Sequence, residues 1–161
     1  MTLLVDGAPV ELRRATAADL VALVALLADD ELGARREATD GYLEPYRAAF
    51  DLVDADPAHI LVVAADGDVV AGTLQLSLLP GLSRRGALRA QIEGVRVASG
   101  ARSRGIGAAM LRWAIEEARR RGCALVQLTT DKTRTDAGRF YERLGFIATH
   151  EGLKLQLRDP S

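Results

Sequence analysis

A chain of 161 residues is enough for one ordinary domain and too short for two comfortable hydrophobic cores. Hydrophobic residues make up 48% of it but aromatics only 4%, so the interior must be built mostly from Ala, Val, Leu and Ile. With 21 basic against 22 acidic side chains, no global field draws the chain to nucleic acid or to an acidic membrane surface.

The single cysteine, Cys123, can close no internal disulfide. The first residues, MTLLVDGAPVELRR, lack the basic start and long apolar run of a secretion signal. No apolar stretch approaches the roughly 20 residues that a membrane span needs. A soluble, cytoplasmic protein is expected, with no nucleic-acid or membrane partner.

Val10–Arg14 is predicted as the first strand. Thr16 follows as an N-cap, with Asp19 three residues on to complete a capping box. Leu20, Leu23, Val24 and Leu27 recur at helical spacing, giving a first helix that ends near Asp30. Beyond the polar stretch Glu31–Gly41, a second helix runs from about Leu43 to Val53, with Tyr46 and Phe50 on one face. His59–Ala65 lies between Asp56-Pro57 and Asp66-Gly67-Asp68, the bounds of a strand entering a tight hairpin turn. Val69–Leu79 is the returning strand, broken by Pro80-Gly81.

The basic loop Ser83-Arg84-Arg85-Gly86 leads into a strand from about Leu88 to Ala98. Ser99–Gly107 then opens an amphipathic helix whose apolar face is Met110, Leu111, Ala114, Ile115 and Ala118, with Gly122 as its stop. Ala124–Thr130 reads as a buried strand, and Asp136–Leu144 as a helix ended by Gly145. Phe146–Thr149 and Leu153–Leu157 close the chain as two short strands. The whole is a single α/β domain with mixed strand directions, without repeat or linker.

The informative site is a strand, then Arg102-x-x-Gly105-x-Gly107, then a helix. A helix start exposes unpaired backbone N–H groups and the positive end of its dipole, and glycines let an anion come close. Arg102 and Arg104 add charge, so the loop reads as a phosphate cradle. A nucleoside-triphosphate loop would need a Gly-Lys-Ser/Thr ending, which is missing. A dinucleotide fingerprint would need a third glycine where Met110 stands. The alternative is that Gly105 and Gly107 only allow tight strand–helix packing. Two histidines and one cysteine, far apart, give no metal-ligand cluster.

Three features together resemble the GNAT N-acetyltransferase superfamily. The loop fits that family's Gln/Arg-x-x-Gly-x-Gly/Ala pattern. Ala137-Gly138-Arg139-Phe140-Tyr141 through Gly145-Phe146 fits its later Ala-x-x-aromatic-Tyr-x-x-x-Gly-Phe, and Ile92-Glu93-Gly94-Val95-Arg96-Val97 resembles its Ile-Glu-x-x-x-Val. The resemblance runs from Gln91 to Phe146 and is only architectural before that. It implies a three-layer fold, with a central mixed, twisted sheet of about seven strands, two of them parallel and splayed, flanked by about four helices.

The resemblance further implies acetyl-CoA as co-substrate and no metal. Backbone groups of Val95 and Val97 would pair with the pantetheine arm. Backbone N–H groups of Arg102, Ser103, Arg104, Gly105, Ile106, Gly107 and Ala108 would hold the pyrophosphate. Gly94 would relieve a bulge that turns an N–H toward the thioester. Arg134 stands where the family often has an Asn on the cofactor, so it either takes a polar contact there or leaves it missing. Gly138 either lets a ligand approach its helix or is tolerated there.

Tyr141 matches the family tyrosine that faces the thiol and is the leading general acid, or else it is only a core aromatic. Glu93 is the first choice of general base, with His150 as the alternative and a solvent-facing strand carboxylate as the bland reading. The acceptor is an amine of a small molecule or peptide that these residues do not identify. Acidic residues within Asp29–Asp40 and Asp51–Asp56 would suit a cationic one. Arg84, Arg85 and Arg89 would suit an anionic one, or the 3′-phosphate of the cofactor. A homodimer is compatible with the resemblance. A non-catalytic acyl-CoA-binding module, which would need no acid or base, remains the alternative function.

Overall fold

The computed structural model describes residues 1–34, 37 and 41–157. Most of the polar stretch after Ala34, with its acidic side chains, lies outside the described residues.

The sheet starts earlier than predicted. Strand β1 (Thr2–Val5) turns back into β2 (Ala8–Arg14), with Val5 opposite Ala8 and a two-residue turn at Asp6-Gly7. Both turn residues have positive φ, 49° and 80°, as the favoured two-residue hairpin turns require. That Asp-Gly step between apolar residues was a legible hairpin signal. Strands β3 (His59–Asp66), β4 (Val69–Leu79), β5 (Arg89–Val97) and β6 (Leu125–Leu128) continue the sheet in sequence order. All neighbours are antiparallel except β5 and β6, which are parallel.

Among the described residues six strands form the sheet, where about seven were expected. Neither Phe146–Thr149 nor Leu153–Leu157 is a strand. Ile147, Leu153, Leu155 and Leu157 are 81–94% exposed. Alternating leucines make a strand only where a sheet edge accepts them, and here the segment lies along none.

The sheet is covered on both faces, because β3 alternates between two cores. Val62 and Ala64 join a core with Leu74, Leu76, Ile92 and helix α5 (Ile106–Arg120), whose Ile106, Met110, Leu111, Ala114 and Ala118 are all buried. Val63 faces the other way and packs with Leu20 and Leu23 of α1 (Leu20–Ala28) and Phe50 of α3 (Glu44–Ala55). A short α2 (Glu31–Ala34) follows α1, and α4 (Ser83–Gly86) is a single turn with left-handed φ at Arg84 and Arg85. Helix α6 (Thr135–Arg143) lays Phe140 and Tyr141 against the α5 side of the sheet.

Asp19 anchors the start of α1. Its carboxylate accepts both arms of the Arg13 guanidinium at 2.8 Å and the Thr16 backbone N–H at 2.7 Å. The Arg13 hydrogen bonds, working against burial and helped by Thr16, hold the carboxyl down to about 2. A depressed carboxylate contributes stability that is present above its unfolded pKa and lost as pH falls through the folded one. The shift corresponds to about 2 kcal/mol. Asp19→Asn should lower unfolding free energy by about that amount at neutral pH, and the gap to wild type should close between about pH 4 and pH 2. Urea unfolding of both proteins across that window checks it; a gap unchanged at its acid end would contradict it.

Candidate active site

Strands β5 and β6 pair from Arg89↔Leu125 to Ile92↔Leu128, and there the pairing stops. Strand β5 runs on to Val97, so among the described residues no strand lies beside 93–97 on the β6 side. On its other side β5 is bulged. Glu93 lies opposite Gln75 and Arg96 opposite Thr73, so Gly94 and Val95 together face Leu74. Gly94 has φ 60°, as the extra residue of such a bulge demands. The splay and the bulge are those the sequence implied.

Two arginines already reach this edge. The Arg96 guanidinium donates to the Val95 carbonyl at 2.9 Å, and Arg102 Nε donates to the Val97 carbonyl at 3.1 Å. A carbonyl carries two lone pairs, so each keeps capacity for another donor.

Where β5 ends, the chain curls into α5. Ser103 and Gly105 both have positive φ, 66° and 85°, and Gly105 is the residue before the helix. The Ala109 N–H donates to the Gly105 carbonyl at 3.0 Å, the first rung of the ladder. The N–H groups of Ile106, Gly107 and Ala108 thus have no acceptor within the helix, and they stand at its positive end.

The loop's arginines are braced rather than free. Arg102 binds the carbonyl and carboxylate of Asp29 at the end of α1, at 2.5 and 3.1 Å. Arg104 pairs with Asp66 on the β3–β4 hairpin at 2.8 Å. The charge expected of both arginines is offset by these acids.

Tyr141 packs its ring against Phe140 and, edge-on, against Phe146, with centroids 5.4 and 6.0 Å apart. Burial pushes its phenol above the usual value, with Arg96 and Arg134 acting in opposition. The proton is therefore held at neutral pH and can be donated.

The same two arginines converge on Asp30. Arg134 pairs with it directly, and Arg96 Nε lies 3.6 Å away. Burial works against the Asp30 charge, but the Gly33 N–H at 2.7 Å and the two guanidiniums hold its carboxyl below the ordinary range. Asp30, Arg96 and Arg134 thus form one polar group joining the end of α1, β5 and α6, and its two guanidiniums act on the Tyr141 phenol. Sequence reasoning missed Asp30 and Arg96, because nothing local announces a partner 66 or 104 residues away. Arg134 was read as taking a polar contact with the cofactor or leaving that contact missing; here its guanidinium also pairs with Asp30.

Glu93 is exposed on β5, at the bulge. His150 is exposed and hydrogen-bonds the Thr149 hydroxyl at 2.8 Å. His59 bonds Ser77 at 2.8 Å and caps a strand. Burial raises the Cys123 thiol, which suits packing rather than attack. Arg84 and Arg85 are exposed, whereas Arg89 is half-buried. A Cβ built on Gly138 would meet nothing within 4 Å, so no neighbouring group requires glycine there. No group of three or more metal-binding side chains gathers among the described residues. None of the helices described is long and apolar enough to cross a membrane.

Residues 20–146 match the model of the acetyltransferase (GNAT) family, and the chain belongs to that family. An aminoalkylphosphonate N-acetyltransferase of Salmonella typhimurium is 34% identical over 149 residues, 90% of each chain. Among solved structures, a transcriptional regulator from Bacillus halodurans C-125 is 49% identical with a TM-score of 0.89, covering 92% of this chain and 99% of that one. An acetyltransferase of Trypanosoma brucei is 25% identical with a TM-score of 0.73 over 92% and 99%. The chain is an acyltransferase of the N-acetyltransferase kind.

Proposed function

We propose that this protein transfers the acetyl group of acetyl-CoA to the primary amine of a small molecule that also carries an anionic group, by direct attack in a ternary complex. The observation that carries the reading is the bulged edge of β5 beyond its pairing with β6, which runs from Glu93 toward the N–H groups at the start of α5. The residues suit the co-substrate. Backbone groups of Val95 and Val97 would hold the pantetheine arm, and N–H groups from Arg102 to Ala108 the pyrophosphate. Acetyl-CoA supplies a thioester carbonyl open to an amine. Glu93 takes the amine's proton, directly or through water, and Tyr141 gives its own to the departing sulfur.

An anionic acceptor is supported by the guanidiniums of Arg96 and Arg134, both of which act on the Tyr141 phenol. The relative that acts on aminoalkylphosphonates agrees in class. An aminoalkylphosphonate should be acetylated at least about tenfold more efficiently than the amino alcohol of the same length, one charge-assisted hydrogen bond being enough for that. The ratio should fall in Arg96→Gln. Equal kcat/KM for the two amines would refute the anionic acceptor while leaving acetyl transfer intact.

Glu93→Gln keeps the shape of the side chain and removes the base. Because Glu93 is exposed, the loss of turnover should be about 10²-fold at neutral pH, the low side of general-base effects. It should shrink as pH rises and more amine is already neutral. A rate within about twofold of wild type throughout would make Glu93 a solvent-facing carboxylate, since even a weak general base is worth more.

A further inference from the structure

The start of α5 belongs to the candidate active site, and its C-terminal half closes a separate cavity. This one has a volume of about 180 Å³ and lies between α5, the end of β2 and the start of β3. Trp113 and Glu117 line it, about two and three turns after Ile106. None of its lining residues takes part in the acetyl transfer proposed above.

The floor is apolar. Leu12, Ile60 and Val62 line it and are only 2–4% exposed. Trp113, the one tryptophan of the chain, adds an aromatic wall; it packs on the core and stays half-buried. No group among the described residues accepts from its indole N–H. An apolar cavity of about 150 Å³ takes up benzene, so there is volume here for a single ring. A ring set offset or edge-on to Trp113 gains more than its buried area alone provides.

The polar end is cationic. Glu117 is largely buried and accepts Arg121 Nε at 2.6 Å, and Nε and one terminal nitrogen of Arg120 at 2.6 to 3.0 Å. One carboxylate therefore answers two guanidiniums. No group among the described residues accepts from the two terminal nitrogens of Arg121. Arg13 and Arg14 line the cavity too, but they are turned to Asp19 and to the His59 carbonyl. Arg121 is thus the lining cation with donors to spare, and the fork of a guanidinium matches a carboxylate.

We infer that this cavity is a binding site for a small aromatic carboxylate, its ring against Trp113 over Leu12, Ile60 and Val62 and its carboxylate on the terminal nitrogens of Arg121. A cationic ring of the same size would meet Arg121 as a like charge, and a neutral one would gain no charge-assisted pair. The inference stands apart from acetyl transfer and from the choice of acceptor.

Benzoate is the probe, titrated into the isotope-labelled full chain and followed in its amide proton–nitrogen spectrum. The single indole N–H signal of Trp113 and the amides of 117–121 should move saturably, half-complete at about 1 mM, a modest affinity for so small a ligand. The amides of 106–108 should stay in place. Benzyl alcohol and benzylamine carry the same ring and should bind at least about tenfold more weakly, which needs no variant to fold. Arg121→Gln leaves Glu117 paired with Arg120 and should weaken benzoate by a similar factor, with the rest of the spectrum unchanged. A Trp113 signal that does not move at about ten times the half-saturating concentration expected overturns the inference. So does benzylamine binding as well as benzoate, or a folded Arg121→Gln protein binding benzoate like the wild type. Movement confined to 106–108 would mean that the start of α5 takes the anion, and overturns it too.

Discussion

Gly105→Val is expected to weaken acetyl-CoA binding by about 10²-fold or more while the protein stays folded. The residue lies in the left-handed region at φ 85°, immediately before α5. A β-branched side chain is a poor occupant of that region, at a cost on the order of 1–3 kcal/mol. The strain relaxes by reshaping the loop, and the N–H groups of Ile106, Gly107 and Ala108 then no longer converge. Losing two hydrogen bonds to a charged group, at about 1.5–3 kcal/mol each, accounts for the magnitude. Space is not the obstacle to folding, because a Cβ at Gly105 meets only Val5 Cγ1, at 3.8 Å. Calorimetric titration with CoA beside a melting curve measures both quantities. Unchanged affinity in a folded Gly105→Val protein would refute the phosphate cradle.

Tyr141→Phe should cut turnover roughly 10- to 100-fold. The effect sits low in the range for a general acid, because a thiolate with pKa near 8.5 leaves tolerably well unaided. The ring contacts with Phe140 and Phe146 survive the change. No hydrogen bond holds the phenol oxygen among the described residues, so stability and CoA binding should hardly move. Because burial raises the phenol's pKa, the wild-type rate should keep the acid's contribution past neutral pH and lose it only above the ordinary tyrosine value of about 10. Steady-state turnover of both proteins with one good amine decides the matter. Full activity in folded Tyr141→Phe would reduce Tyr141 to packing, and a collapse in stability would mean that the hydroxyl carries structure.

Much of the fold was legible because its signals are local. Val69–Leu79 was bounded by Gly67-Asp68 and Pro80 and forms a strand over those residues. The glycines at 105 and 122 bracket α5, whose apolar spacing gives the buried Met110, Leu111, Ala114 and Ala118. The Gly94 bulge was implied by the family resemblance of Ile92 through Val97, and the register shift stands there. The tail misled for the converse reason, since alternation says that a segment can be a strand and not that an edge awaits it in the same chain. The bracing of the site was likewise out of reach. Arg102–Asp29, Arg104–Asp66 and Arg134–Asp30 join groups dozens of residues apart, so three arginines read as cofactor ligands are also ties between elements.

The central claim is amine-dependent acetyl transfer. Its most direct measurement is thiol release from acetyl-CoA over a panel of primary amines, with the products weighed by mass spectrometry. The predicted result is thiol release matched one for one by acetylated amine, with little release when amine is omitted. Tight CoA binding with no release above the uncatalysed rate for any amine would contradict it and leave a binding module without chemistry.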